Sequence, residues 1–214
     1  MSGLHKAFFG LLSLAGRRAH GLLLRCYFDI WHLVPDPWNH ATSTYERQKY
    51  TTTLACVPKG SYLRILDVGC SEGTFTLLAS ATHPGAETVG VDISRRAIRR
   101  AARRARDSGA QVGFVRKDVL NEFFEDHFDL VFCGEVLYYF GRTGRQRDAV
   151  VRLVSLVEPG GLLVLTHAAD QAQRLHPDFD DHPMLKKVDE VRAEGYTVSV
   201  YRHADPDGSR DKRN

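Results

Sequence analysis

The sequence predicts an α/β fold, with a mostly parallel sheet flanked by helices and a helical cap ahead of it. Two features predict it. Five short apolar runs recur along the chain, and stretches with helical apolar spacing lie between them. The most informative run is Arg64-Ile65-Leu66-Asp67-Val68-Gly69-Cys70-Ser71-Glu72-Gly73-Thr74-Phe75, an apolar strand that passes through a glycine-punctuated turn into a helix. Open α/β sheets use such a turn to bring backbone N–H groups close to a nucleotide-like ligand.

In chain order, Leu4, Phe8, Phe9, Leu11, Leu12 and Leu14 form an apolar run, Arg17 and Arg18 interrupt it, and Leu22, Leu23 and Leu24 resume it. Neither run reaches the roughly 18 apolar residues of a membrane-spanning helix. A signal peptide is disfavoured, because no basic region and small-residue cleavage site frame the run. The expectation is an amphipathic helix packed on the domain or a partner. The alternative is a helix lying on a membrane surface with Arg17, Arg18 and Arg25 towards headgroups, so that residues 4–30 make the contact.

Pro35-Asp36-Pro37 breaks the chain, and Ser43 can cap a second helix that ends near Val57. Pro58-Lys59-Gly60 turns into the first strand. A helix follows from about Thr74 to Ala81, then a second strand over Thr88–Ile93. Ser94 to Asp107 is arginine-rich, with Ala97, Ile98, Ala101, Ala102 and Ala105 forming a narrow apolar stripe for the sheet. Its arginines read as a solvated helix face. They do not imply nucleic acid, since no aromatic residues interleave for base stacking.

Val112–Val115 and Phe128–Cys133 are the third and fourth strands, Gly141 to Val157 a crossover helix, and Gly160–Thr166 the fifth strand, entered through Glu158-Pro159. Met184 to Glu194 is expected to be a helix and Tyr196–Tyr201 a strand with period-two alternation. Asp205 to Asn214 is expected to be a disordered tail. The predicted organisation is a cap over 1–57, a ligand-binding core over 58–204 and a tail over 205–214.

At 214 residues the chain suits one domain with a sizeable core. Its 43% hydrophobic and 26% charged content is that of an ordinary soluble globule, and a net charge of +3 implies no polyelectrolyte partner. Cys26, Cys56, Cys70 and Cys133 show no metal-binding spacing and no disulfide framework, so no metal and a reducing cytoplasmic setting are expected.

Three acidic residues end successive strands. Asp67 stands at the carboxyl end of the first, where open α/β sheets bind ligands. Asp92, with Ile93 beside it, ends the second and can accept the ribose hydroxyls of an adenosine group. Asp118, with Val119 beside it, follows the third, where an adenine amino group can donate to it. A dinucleotide fingerprint is absent, because Ser71 occupies its second glycine position.

This ordered set resembles the class I S-adenosylmethionine (SAM) dependent methyltransferases, over roughly Ala41 to His167. Asp36-Pro37-Trp38, Ser43-x-Tyr45-Glu46-x-x-Lys49-Tyr50, Gly-Cys-Ser-x-Gly and Glu135-Val136-Leu137-Tyr138-Tyr139 look more narrowly like the NodS group, which N-methylates an amino sugar. The resemblance implies a Rossmann-like methyltransferase fold whose sheet normally has seven strands, ending in an antiparallel hairpin. Only one strand of that hairpin is legible here. It also implies SAM as cofactor, with Gly69, Cys70, Ser71 and Gly73 in its loop and Trp38 and Lys49 in a cap over it. Lys49 is expected to neutralise the methionine carboxylate.

Methyl transfer needs alignment of the acceptor and, for an amine, a proton acceptor. Glu135, directly after the fourth strand, is the first candidate. Tyr138 and Tyr139 share its loop, one expected in the pocket and one in the core. His167 is the second candidate base. The Asp/Asn-Pro-Pro-aromatic motif of base-amine methylation is missing, as is a Gly-x-Ser-x-Gly elbow. The expected activity is methyl transfer to an amine or hydroxyl of a small-molecule acceptor. A SAM-binding protein without turnover is the alternative.

Overall fold

The computed structural model describes residues 16–140 and 144–205. The apolar run over residues 4–14 and most of the polar tail lie outside the described residues. Seven strands form a single sheet in the order β3-β2-β1-β4-β5-β7-β6. They are β1 (Arg64–Val68), β2 (Glu87–Asp92), β3 (Val112–Arg116), β4 (Phe128–Gly134), β5 (Val157–Ala168), β6 (Leu185–Ala193) and β7 (Tyr196–His203). The first five run parallel, and β7 and β6 return antiparallel as a hairpin. The central strands β1 and β4 and most of β5 are nearly continuous apolar runs because both their faces are covered. Leu66, Val68, Val131, Cys133, Leu163 and Leu165 face one core cluster, while Ile65, Leu130, Phe132, Leu162 and Val164 face the other.

The helices are α1 (Arg17–Trp31), α2 (Thr44–Ala55), α3 (Thr74–Thr82), α4 (Arg95–Ser108), α5 (Gly144–Leu156), α6 (Ala169–Leu175) and α7 (Pro177–Asp180). Ser43 and Ser94 accept hydrogen bonds from the first-turn N–H groups of Glu46 and Ala97, capping α2 as expected and α4 in the same way.

Met184 to Glu194 is not a helix. It is β6, paired to β7 through a turn in which Gly195 adopts φ +87°. Leu185, Val188 and Val191 recur every three residues, which mimics a helix. The register shifts between Lys187 and Asp189, so Val188 sits in a bulge and the period-two pattern is displaced by one residue. The hairpin therefore completes a seven-stranded sheet whose edge the sequence left open. Strand five also starts earlier than expected, at Val157, with an irregular register against Phe128 and Leu130.

The arginines of α4 are not simply a solvated face. Arg100 donates to the carbonyls of His32 (2.8 Å), Leu33 (3.3 Å) and Val34 (3.2 Å), and to Glu72 Oε1 at 3.0 Å. Arg104 donates to Thr74 Oγ1 at 2.8 Å and Glu72 Oε2 at 3.0 Å. Glu72 in turn accepts the Asp36 N–H at 2.9 Å. These charge-assisted bonds satisfy carbonyls at and beyond the end of α1 and fasten the cap to the glycine loop.

Candidate active site

Two cavities meet at the carboxyl ends of β1, β2 and β4. The larger holds about 380 Å³ and the smaller about 70 Å³. The larger falls in the usual size range of small-molecule sites, roughly 300–1,000 Å³. Asp92, Ile93, Asp118 and Val119 line one side of it, while His20, Gly21, Leu24 and Phe28 approach from α1. Asp67 and Cys70 line only the smaller cavity. Gly69, Ser71, Lys49 and Glu135 belong to both.

The loop geometry explains its residues. Gly69 has φ +77°, and a Cβ there would lie 2.1 Å from Val136 Cγ2, so only glycine fits. Ser71 is also left-handed, at φ +49°. That conformation is held from two sides: its N–H donates to Asp92 Oδ2 at 3.0 Å, and its hydroxyl lies 3.1 Å from His32 Nε2. Gly73 lines neither cavity. A Cβ there would press 2.7 Å from the Phe114 ring, so its place is set by packing behind the loop.

Asp92 accepts the N–H groups of Ser71 and Ser94 (2.7 Å), one on each oxygen, and burial pushes its carboxyl upwards. Asp118 accepts from the Leu120 N–H at 3.1 Å and Asn121 Nδ2 at 2.8 Å. Each carboxylate oxygen keeps a lone-pair site for a further donor. A Cβ on Gly21 would lie 2.4 Å from Asp118 Oδ2, so glycine lets α1 close over this wall. His20 Nε2 is buried with no hydrogen-bond partner among the described residues. Burial lowers its pKa first, with Arg145 adding to the effect.

Asp67 is wholly buried and accepts from Thr76 Oγ1 at 2.6 Å; burial pushes its carboxyl up to about 7. Lys49 on α2 donates to Glu46 at 3.0 Å and to Glu135 at 3.3 Å. Burial opposes its charge, but Glu135 and Glu46 outweigh burial and hold the ammonium above its ordinary range. An ammonium has three donors, so one remains for a ligand. Glu135 has φ +53°, and its N–H donates to the Thr166 carbonyl at 2.9 Å. Burial raises its carboxyl, and Lys49 partly reverses that. A non-glycine residue held at positive φ beside a cavity is the kind of strain that functional sites carry.

Both Tyr138 and Tyr139 line the larger cavity, and Tyr138 also packs against the core. Burial raises the Tyr138 phenol, and Tyr139 and Glu135 push it further. Trp38 also lines this cavity, with its ring between Trp31 (6.0 Å, 21°) and His40 (5.7 Å, 22°).

His167 is not brought to the site. It lies within β5, paired in register with Thr197, fully buried, and lines neither cavity. Its Nδ1 lies 3.1 Å from His176 Nε2, and burial holds its pKa well below the ordinary histidine value. Strand alternation turns it into the core rather than towards the loops, so it is a neutral core histidine. His20, Gly21, Leu24, Phe28, His32, His40 and Asn121 also line the larger cavity, and no sequence motif singles them out. The one signal was His20-Gly21, which interrupts the apolar face of α1 at the helical spacing of Leu24 and Phe28.

A family model described as Nodulation protein S (NodS) matches residues 23–177. Nodulation protein S of Rhizobium tropici is 36% identical over 136 residues, covering 63% of this chain and 56% of that protein. Its counterpart in Sinorhizobium fredii is 32% identical over 136 residues, covering 63% and 62%. The chain thus spans less than two thirds of the length of these relatives. The crystal structure of N-methyltransferase NodS from Bradyrhizobium japonicum WM9 in complex with S-adenosyl-L-homocysteine superposes with a TM-score of 0.72. It is 24% identical, and the match covers 84% of this chain and 97% of that one. The fold is therefore the Rossmann-like methyltransferase fold.

Proposed function

This chain belongs to the nodulation protein S (NodS) family, and from that premise we infer that it is a SAM-dependent methyltransferase acting on the amine of a small-molecule acceptor. The observation that carries the reading is the Lys49–Glu135 ion pair, at residues shared by a cavity walled by Asp92 and Asp118 and a smaller one holding Asp67.

The residues present fit SAM. Asp92 would take the ribose hydroxyls and Asp118 the adenine amino group, between the apolar side chains of Ile93, Val119 and Leu24. The unpartnered His20 Nε2 offers a further polar contact to the same end. Asp67 suits the ammonium of the methionine moiety, and the remaining donor of Lys49 its carboxylate. SAM brings a methyl group already activated on a sulfonium, so the protein chiefly aligns the reactants and excludes water.

Glu135 then works on the acceptor. Its carboxylate holds the amine and accepts its proton as the N–methyl bond forms. Lys49 partly offsets the burial that favours the neutral form of that carboxyl. The Tyr138 phenol keeps its proton at working pH, so it positions the acceptor as a donor and does not serve as a base. Phe28, Trp38 and Tyr139 add aromatic walls suited to the ring of an amino sugar or another specialised metabolite. A cytoplasmic setting accords with four free cysteines.

Calorimetry with SAM and S-adenosylhomocysteine tests the cofactor. Micromolar binding is expected, on the order of −8 kcal/mol, with Asp92→Ala weakening it by ~1–3 kcal/mol. Deuterated SAM offered with a panel of amines and hydroxyl compounds tests the reaction. Label on an amine supports the reading, label only on hydroxyls reassigns the acceptor atom, and binding without any product leaves a SAM-binding protein without turnover.

A further inference from the structure

Helix α1 has two apolar faces. The inward one carries Leu24 and Phe28 to the cavity. The outward one is formed by Ala19, Leu22, Leu23, Cys26 and Ile30, which recur at helical spacing with no charged residue among them, and Leu33 and Val34 extend it past the helix end. Leu22, Leu23, Ile30, Leu33 and Val34 each expose between 46% and 65% of their surface. No described helix is long and apolar enough to cross a membrane.

Alongside lies the basic helix α4, fixed to α1 rather than merely near it. Ser94 Oγ donates to Asp29 Oδ1 at 2.7 Å, the Arg96 N–H donates to the same oxygen at 3.2 Å, and Arg100 grips the carbonyls after α1. Arg95, Arg96, Arg99, Arg103 and Arg106 are exposed. Arg103 pairs with Asp107 at 3.5 Å, whereas Arg95, Arg99 and Arg106 make no ion pair among the described residues. Arg25, which sequence alone would turn towards headgroups, is instead paired with Glu122.

We propose that the outward face of α1 docks on an anionic phospholipid surface, its apolar side chains entering the acyl boundary and the α4 arginines meeting the phosphates. The pairing of the two elements selects the occupant. An interfacial helix combines an apolar face with flanking cations, and its attraction is to anionic lipid. A nucleic acid would satisfy the arginines but not five exposed aliphatic side chains. A second copy would satisfy the aliphatic face while bringing two arginine-rich helices towards each other. Because the inward face of α1 lines the cavity, docking would hold that cavity close to the lipid interface.

Co-sedimentation of the full chain with phosphatidylcholine vesicles, with and without phosphatidylglycerol, tests the proposal. Binding is expected only with phosphatidylglycerol and should weaken as salt is raised. The triple variant Leu22→Ser/Leu23→Ser/Ile30→Ser and the triple variant Arg95→Glu/Arg99→Glu/Arg103→Glu should each lose at least about tenfold in partitioning. Both should keep wild-type circular dichroism and S-adenosylhomocysteine affinity. The proposal is overturned if the wild type ignores both vesicles, or if the serine variant partitions like wild type. It also fails if light scattering shows a dimer that only the serine variant dissolves, or if transfer RNA is bound and vesicles are not. Vesicle binding that appears only after residues 1–15 are removed would overturn it too, assigning the face to the chain's own leading segment.

Discussion

Lys49 Nζ lies 3.3 Å from Glu135 Oε1, joining the buried face of α2 to the residue that follows β4. The pair sets the charge at the junction of the two cavities. Burial favours the neutral carboxylic acid, and the ammonium pulls Glu135 back towards the carboxylate. Lys49→Met removes that pull, so Glu135 holds its proton to higher pH and less base is present at neutrality. The acid limb of the pH–rate profile should move upwards and neutral turnover should fall about tenfold or more. An unmoved acid limb would separate Glu135 from the proton transfer.

Asp67 gives stability a distinct pH dependence. In the folded chain it keeps its proton to about pH 7, against an ordinary value of 3.8. Between those values the folded state binds the extra proton. Its contribution to stability is thus complete below about pH 4 and is lost as pH rises through 7. Asp67→Asn keeps an acceptor for Thr76 and removes the titration. The variant should be more stable than wild type at pH 8, by an amount on the order of a few kcal/mol, with the difference shrinking towards pH 4. It should also bind SAM more weakly, because the methionine ammonium loses its partner. Parallel melting curves at both pH values would rule out a buried titrating carboxyl here.

Arg100 links α4, Glu72 and the carbonyls of His32, Leu33 and Val34. Arg100→Ala leaves those acceptors and the buried Glu72 to Arg104 and solvent. A loss of about 1–3 kcal/mol is expected. Hydrogen exchange should rise over residues 17–40 while β4 and β5 stay protected. Exchange that rises evenly over the whole chain would mean that Arg100 serves global stability and not the cap.

The three strand-end carboxylates were legible because a parallel sheet fixes where strands end, and local apolar runs reveal strands. Asp92 and Asp118 reach the larger cavity for that reason. Only β7 of the hairpin was legible, because the bulge at Val188 gives β6 a three-residue apolar spacing. His167 misled because proximity to a strand end does not say which face a side chain takes. Packing on α6 and the bond to His176 decide that. The role of α1 was hidden because its two faces are both apolar, and only tertiary contact shows which one covers the cavity. Arg100 was hidden in the same way, since its acceptors are backbone carbonyls that no side-chain pattern records.

Glu135→Gln isolates the chemistry from the binding. Glutamine keeps the shape and can still accept from Lys49, but it carries no charge and takes no proton. The residue follows β4, whereas Asp92 and Asp118 stand across the larger cavity at the ends of β2 and β3. Affinity for S-adenosylhomocysteine should therefore stay within about 1 kcal/mol of wild type, while turnover falls by ~10²-fold or more. A small rate loss with a raised acceptor Michaelis constant would make Glu135 a positioning residue that orients the amine while solvent takes the proton. A collapse of S-adenosylhomocysteine binding would place Glu135 on the cofactor side. Lys49 would then be its counter-ion there, and the acceptor's base would have to be sought among the remaining cavity groups, of which His40 lines both cavities.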